Sequence, residues 1–216
     1  MTEIMEKAIL QVQKVTKQYR AGKVVFTDIS ETFYPGDAVL LKGPNGSGKT
    51  TFLKLLSVNT FPTGGSVFYG DLDIHRYPYR YLKNVGLVHD EEALPQHLSA
   101  VELLTWILHS RGLRDEESVK EMTGIFEHLE LDDARYDEIG TYSTGMKKKT
   151  QIAAALICKP AVLILDEPLR GLDRSSTGRT LDLFRSAVSR GALILMASHA
   201  RADEDDLFKR VMTFPL

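Results

Sequence analysis

The sequence predicts an α/β protein with a mainly parallel sheet in its core, an antiparallel β subdomain towards the N-terminus and an inserted α-helical lobe. Three observations predict it. Apolar and polar residues alternate through the first third; a glycine-rich turn then separates an apolar run from a helical period; and the last third alternates helical stretches with short, wholly apolar ones. With 216 residues there is enough chain for one sizeable core and a small lobe packed on it. The expected division is therefore a single domain, 1–216. Residues 1–90 and 150–216 form the core with its β subdomain, and 91–149 form the lobe.

Each element follows from its local pattern. Ile9 to Val15 and Val24 to Ile29 alternate as half-exposed antiparallel strands do. Ala38-Val39-Leu40-Leu41-Lys42 reads as a buried strand, and Thr51 to Leu56 as a helix directly after the glycine-rich turn. Val85-Gly86-Leu87-Val88 is a further short strand. From Ala100 to Leu131 the period becomes that of amphipathic helices, with Val101, Leu104, Ile107 and Leu108 on one stripe and Val119, Met122, Ile125 and Phe126 on another. Helices over Thr150 to Cys158 and Thr180 to Ser189 then alternate with strands at Val162 to Leu165 and Leu193 to Met196, the pattern of a parallel sheet.

Composition narrows the function. Hydrophobic residues make up 43% and charged residues 26%, as in globular proteins. The formal net charge of −2 offers no global basic field, so no direct nucleic-acid partner is expected. One cysteine, Cys158, excludes an intrachain disulfide framework and fits a reducing cytoplasm. The apolar runs at Ala161 to Leu165 and Ala192 to Ala197 fall far short of the roughly 20 residues a membrane helix needs. Met1 to Gln11 lacks the apolar core of a signal peptide, so export is not expected.

Gly43-Pro44-Asn45-Gly46-Ser47-Gly48-Lys49-Thr50 fits G-x-x-x-x-G-K-[ST] and lies between a strand and a helix. Glycines let successive N–H groups approach phosphate oxygens at a helix N-terminus. Lys49 then supplies a mobile cation for the outer phosphates and Thr50 a hydroxyl for Mg²⁺, with Thr51 the next expected nucleotide contact. The motif predicts a P-loop NTPase core.

Ala161 to Leu165 ends abruptly in Asp166-Glu167. Adjacent carboxylates at the end of a buried strand are costly unless a cation is near, which suits Asp166 to Mg²⁺ and Glu167 to general-base catalysis on the attacking water. Ser198-His199 follows the second apolar run and should leave the sheet on the same edge. An imidazole there is placed to contact the γ-phosphate, although a lone histidine after a strand is by itself more often structural.

Tyr142-Ser143-Thr144-Gly145-Met146-Lys147-Lys148-Lys149 opens a helix. With the phosphate loop, Asp166-Glu167, Gly171-Leu172-Asp173 and Ser198-His199 in this order, it resembles the ATP-binding (nucleotide-binding) subunits of ABC transporters over nearly the whole chain. The resemblance is nearest in style to bacterial export-type subunits, including haem-exporter ATPases. It implies that Ser143, Thr144, Gly145 and Met146 complete the ATP site of a second copy or homologous ATPase, head to tail. It implies stacking of Tyr19 on adenine, a place for Asp173 in the loop crossing that interface, and a separate integral membrane permease as partner. Location would then be cytoplasmic, on the inner face of the cell membrane. Three lysines at this helix N-terminus oppose the macrodipole, which is mildly unfavourable; they read as a solvated basic face, with support of a nearby polyphosphate as the alternative.

Two departures stand out. Where the family has a glutamine near the metal and attacking water, this sequence has His89-Asp90-Glu91; Asp90 aligns best and keeps an oxygen ligand for Mg²⁺, with Gln96 as second choice. Leu169-Arg170 is also unusual ahead of Asp173. The expected function is ATP hydrolysis driving a membrane subunit, with ATP and Mg²⁺ as cofactors. A non-transport ABC ATPase and a low-turnover nucleotide-dependent regulator remain as alternatives.

Overall fold

The computed structural model describes residues 7–19, 22–91, 94–198 and 206–215. Within them the chain folds as the α/β class expected, around two sheets. A four-stranded antiparallel sheet has the order β2-β1-β4-β5, from β1 (Leu10–Tyr19), β2 (Lys23–Phe33), β4 (Gly64–Tyr69) and β5 (Leu72–Asp73). A five-stranded sheet has the order β6-β7-β8-β3-β9, from β3 (Ala38–Lys42), β6 (Val85–Val88), β7 (Val162–Asp166), β8 (Leu193–Ala197) and β9 (Arg210–Thr213), and every neighbouring pair in it is parallel.

The wholly apolar strands are apolar because both faces of the parallel sheet are covered. Val39 and Leu41 of β3, Val162 and Ile164 of β7, and Leu193 and Leu195 of β8 pack with α1 (Lys49–Leu56) and the antiparallel sheet. Their neighbours Leu40, Leu163, Leu165, Ile194 and Met196 point the other way. There they meet α5 (Thr144–Leu156), α6 (Arg174–Ser189) and the lobe helices α3 (Ala100–Ser110) and α4 (Glu116–Leu129). A short helix, α2 (Pro78–Leu82), leads into β6.

Register aligns the strand ends. Leu41 and Asp166 both pair with Ala197, so β3, β7 and β8 end at one level and their following residues leave the sheet along one edge.

Several elements differ from expectation. Helix α5 starts at Thr144 and α6 at Arg174, each six residues early, because Ser143 and Asp173 cap them: their side chains accept from the backbone N–H of Met146 and Ser176. The 149/150 division falls inside α5. Val119 is 53% exposed rather than part of the buried stripe, whose fourth position is taken by Leu129; α4 turns Met122, Ile125, Phe126 and Leu129 inward. On α3, Ala100 and Leu103 join Leu104 and Leu108 in the core, and Val101 and Ile107 are half-buried. Gly86 in β6 has a packing reason: a Cβ there would lie 2.2 Å from the Ala155 carbonyl oxygen, so its absence lets α5 close on the sheet.

Candidate functional site

The aligned strand ends open into a cleft of about 920 Å³. Its lining unites Asn45, Gly46, Ser47, Gly48, Lys49, Thr50 and Thr51 with Asp90, Asp166, Glu167, the loop 169–172 and Ser198. Gly43 and Pro44 form the neck of the loop. Gly43, Gly46 and Gly48 have φ of 148, 76 and 109°, which side chains disfavour. At Gly43 space forbids a side chain as well, since a Cβ would sit 2.4 Å from the Phe214 carbonyl oxygen of the chain that follows β9. Lys49 is buried, and its Nζ donates to the carbonyls of Gly43 (2.7 Å) and Pro44 (3.1 Å), so the loop wraps its own cation. The Ser47 hydroxyl is buried without a hydrogen-bond partner, a donor and acceptor held ready for a polar guest.

On the facing side, Asp166 is only 7% exposed, and burial pushes its carboxyl above the usual range. The Thr50 hydroxyl donates to Asp166 Oδ1 at 3.3 Å and opposes that rise, while the Asp90 charge adds to it. Among the described residues no three His, Cys, Asp or Glu gather as a metal cage. A hydroxyl and one or two carboxylates facing a phosphate loop are the oxygen set that Mg²⁺ uses when phosphates complete its shell. Glu167 has φ of 49°, left-handed for a non-glycine residue, with its N–H donating to the Ala197 carbonyl at 2.9 Å. Strain of that sort persists where surrounding structure imposes it, and here it turns the chain out of β7 at the cleft.

Asp90 reaches the cleft from the end of β6, but with a partner that its sequence did not suggest. Arg170 Nη1 donates to both its carboxylate oxygens, at 2.8 and 3.0 Å. Gln96 does not line the cleft; its side chain donates to the Leu94 carbonyl. His199 lies outside the described residues, although Ser198 lines the cleft.

Residues 26–170, more than half of the chain, match the family described as ABC transporter. The chain belongs to that family, on its ATP-binding side. It is 30% identical to the linearmycin resistance ATP-binding protein LnrL of Bacillus subtilis, covering 94% of this chain and 65% of that protein. Against the doxorubicin resistance ATP-binding protein DrrA of Mycobacterium tuberculosis the identity is 32%, covering 93% and 61%. The lipoprotein-releasing system ATP-binding protein LolD of Rickettsia typhi is matched at 29% over 90% of each chain. This chain thus spans just under two thirds of the length of the two resistance proteins. Its fold superposes on a solved ATP binding subunit of an ABC transporter with TM-score 0.89, at 24% identity over 95% of this chain and 85% of that one.

The ABC signature residues stand apart from the cleft. Ser143 caps α5, accepting from the Met146 N–H at 3.3 Å, and neither it nor Thr144, Gly145 or Met146 lines the cleft. A Cβ on Gly145 would come no nearer than 3.5 Å to the Gly171 carbonyl, so this turn borders the 169–172 loop from outside. Asp173 spends both carboxylate oxygens on Ser176, one from its N–H (2.8 Å) and one from its hydroxyl (3.1 Å). These bonds hold its carboxyl below the usual range. Tyr19 is 43% exposed at the end of β1, with the Lys17 ammonium 4.6 Å from its ring centre, and it too lies outside the cleft lining.

The lysine triplet is not a uniformly solvated face. Lys148 is 2% exposed, and its Nζ donates to the carbonyls of His89 (3.1 Å) and Asp90 (3.3 Å). One turn on, Gln151 Nε2 donates to the Glu91 carbonyl at 2.9 Å. The expected basic patch is therefore corrected: its middle lysine is a buried tie between the signature helix and the loop carrying Asp90. Nothing in the local pattern distinguishes Lys148 from Lys147 and Lys149.

Proposed function

We propose that this chain binds and hydrolyses ATP with Mg²⁺ as one half of a head-to-tail pair, and that the pair drives a separate integral membrane permease of the export type. The observation that carries the proposal is the separation of two phosphate-binding features. The cleft holds a phosphate loop and its acids, while the capped turn at Ser143, Gly145 and Met146 lies outside its lining and opens a helix whose N-terminus suits a second phosphate. One nucleotide on one chain has no use for both.

In this reading the loop N–H groups, the Ser47 hydroxyl and Lys49 grip the phosphates, Lys49 exchanging its carbonyl partners for phosphate oxygens. Thr50 and Asp166 hold Mg²⁺, with Asp90 at the rim; the ion supplies charge neutralisation at the outer phosphates. Glu167 orients and deprotonates water. His199 assists at the γ-phosphate, Tyr19 stacks on adenine, and Asp173 sits where the two copies meet. No helix among the described residues is long and apolar enough to cross a membrane, which agrees with a permease on another chain and a place on the inner membrane face.

A mixture of two inactive variants tests the shared site. Lys49→Ala disables the loop and Ser143→Ala the facing turn, so each homodimer has no intact site, whereas the mixed pair keeps one. ATPase activity should reappear on mixing. Activity no greater than the sum of the separate proteins would remove the shared site.

A further inference from the structure

The two departures from the family pattern, Asp90 and Arg170, are 80 residues apart in sequence and touch each other. Both side chains are well exposed, 41% and 69%, so their contact contributes little to stability. Its place is what matters. Among the cleft's lining residues Asp90, Asp166 and Glu167 carry negative charge and Lys49 and Arg170 positive charge. An unpaired carboxylate at position 90 would repel the phosphates of metal-free ATP and draw a divalent cation more strongly.

We infer that Arg170 is a positioning residue for the nucleotide site, holding Asp90 as one member of a neutral pair so that this rim presents a carboxylate oxygen without its net charge. The backbone on the Asp90 side is fixed independently, since Lys148 and Gln151 hold the carbonyls of residues 89 to 91. On the other side, the Arg170 N–H donates to the Glu167 carbonyl at 3.3 Å, which ties the guanidinium's own backbone to the catalytic-base position. Asp90 is thus aimed from two directions, and Arg170 cancels its charge at the point where that charge would attract the metal and repel the phosphates. The inference rests on the ATP and Mg²⁺ reading above and adds a function for the residue that reading leaves unused.

Opposite signs make it testable. Metal-free affinity is read with a fluorescent ATP analogue in chelator, and metal affinity from Mn²⁺ binding to the protein–nucleotide complex by electron paramagnetic resonance. Arg170→Ala should weaken metal-free nucleotide binding and tighten Mn²⁺ binding, each on the order of threefold to tenfold, the effect of one charge at a partly solvated site. Asp90→Asn, which leaves Arg170 uncompensated, should shift both quantities the other way. The double variant should return both near wild type, and Arg170→Lys should stay close to it. Shifts of the same sign in both single variants, or changes confined to melting temperature, would overturn the neutral pair while leaving the nucleotide site standing. A wild-type protein that binds no analogue would overturn both.

Discussion

The two walls of the cleft are assembled in different ways. The phosphate loop is a continuous run of eight residues shaped mainly by local bonds and glycine backbone, Lys49 bonding to carbonyls five and six residues before it, although Gly43 also packs closely on the distant Phe214 carbonyl. The facing wall is made of side chains from distant parts of the chain. Thr50 to Asp166 spans 116 residues, Arg170 to Asp90 spans 80, and Lys148 reaches back 58 and 59. A local wall forms from its own backbone preferences. A distant wall exists only once β6, β7 and α5 have docked, so its geometry depends on packing far from the chemistry.

That contrast predicts how each wall fails. The largest effect is expected from Gly43→Ala, which puts a Cβ into both a left-handed φ and the Phe214 carbonyl. It should abolish nucleotide binding and cost several kcal/mol of stability, on the order seen when a strained, overpacked backbone position is filled. Denaturant unfolding together with analogue titration checks it; retained binding would show that the loop does not depend on that close approach.

Glu167→Gln, on the distant wall, should separate binding from chemistry. ATP affinity stays while turnover falls by about two orders of magnitude or more, and an ATP-held pair accumulates. Phosphate release and sedimentation with Mg-ATP measure this. Near wild-type turnover would remove Glu167 as the base.

A smaller effect, and one of opposite sign, is expected from Asp166→Asn. Because burial raises the folded-state pKa, the folded protein holds its proton more tightly than the unfolded chain does. Stability from this group is therefore fullest below the unfolded pKa of about 3.9 and is lost as pH rises through the raised folded value. Asparagine never ionises, so without metal it should melt higher than wild type above that window and draw level below it, while losing metal-dependent turnover. Melting curves from acid to neutral pH decide the matter. A variant that melts lower at neutral pH would mean that the Thr50 contact outweighs the burial.

The same division explains what was legible beforehand. The phosphate loop, Asp166-Glu167 and the signature turn are contiguous and could be read residue by residue, as could the buried strands whose continuous apolar runs report two covered faces. The partner of Asp90 could not, because no local pattern ties it to Arg170. Nor could the burial of Lys148: its neighbours Lys147 and Lys149 are half-buried, and only the docking of α5 on β6 decides which of the three points inward. Val119 shows the limit of periodicity from the other direction, since an apolar residue one turn from the helix start fits the stripe in sequence and misses the core in space.

The tie from Lys148 and Gln151 to residues 89 to 91 makes the signature helix and the Asp90 loop a single stiff lever. In the proposed pair its tip would be the turn offered to the second copy's phosphate, and its other arm would end at the proposed metal rim. In the proposed pair, any change of α5 on docking is felt at Asp90, and linkage requires the reverse with equal strength. The metal in one cleft would favour pairing by whatever factor pairing favours the metal. Cooperativity between the two sites would thus pass through a buried ammonium and two peptide carbonyls, without the nucleotides touching.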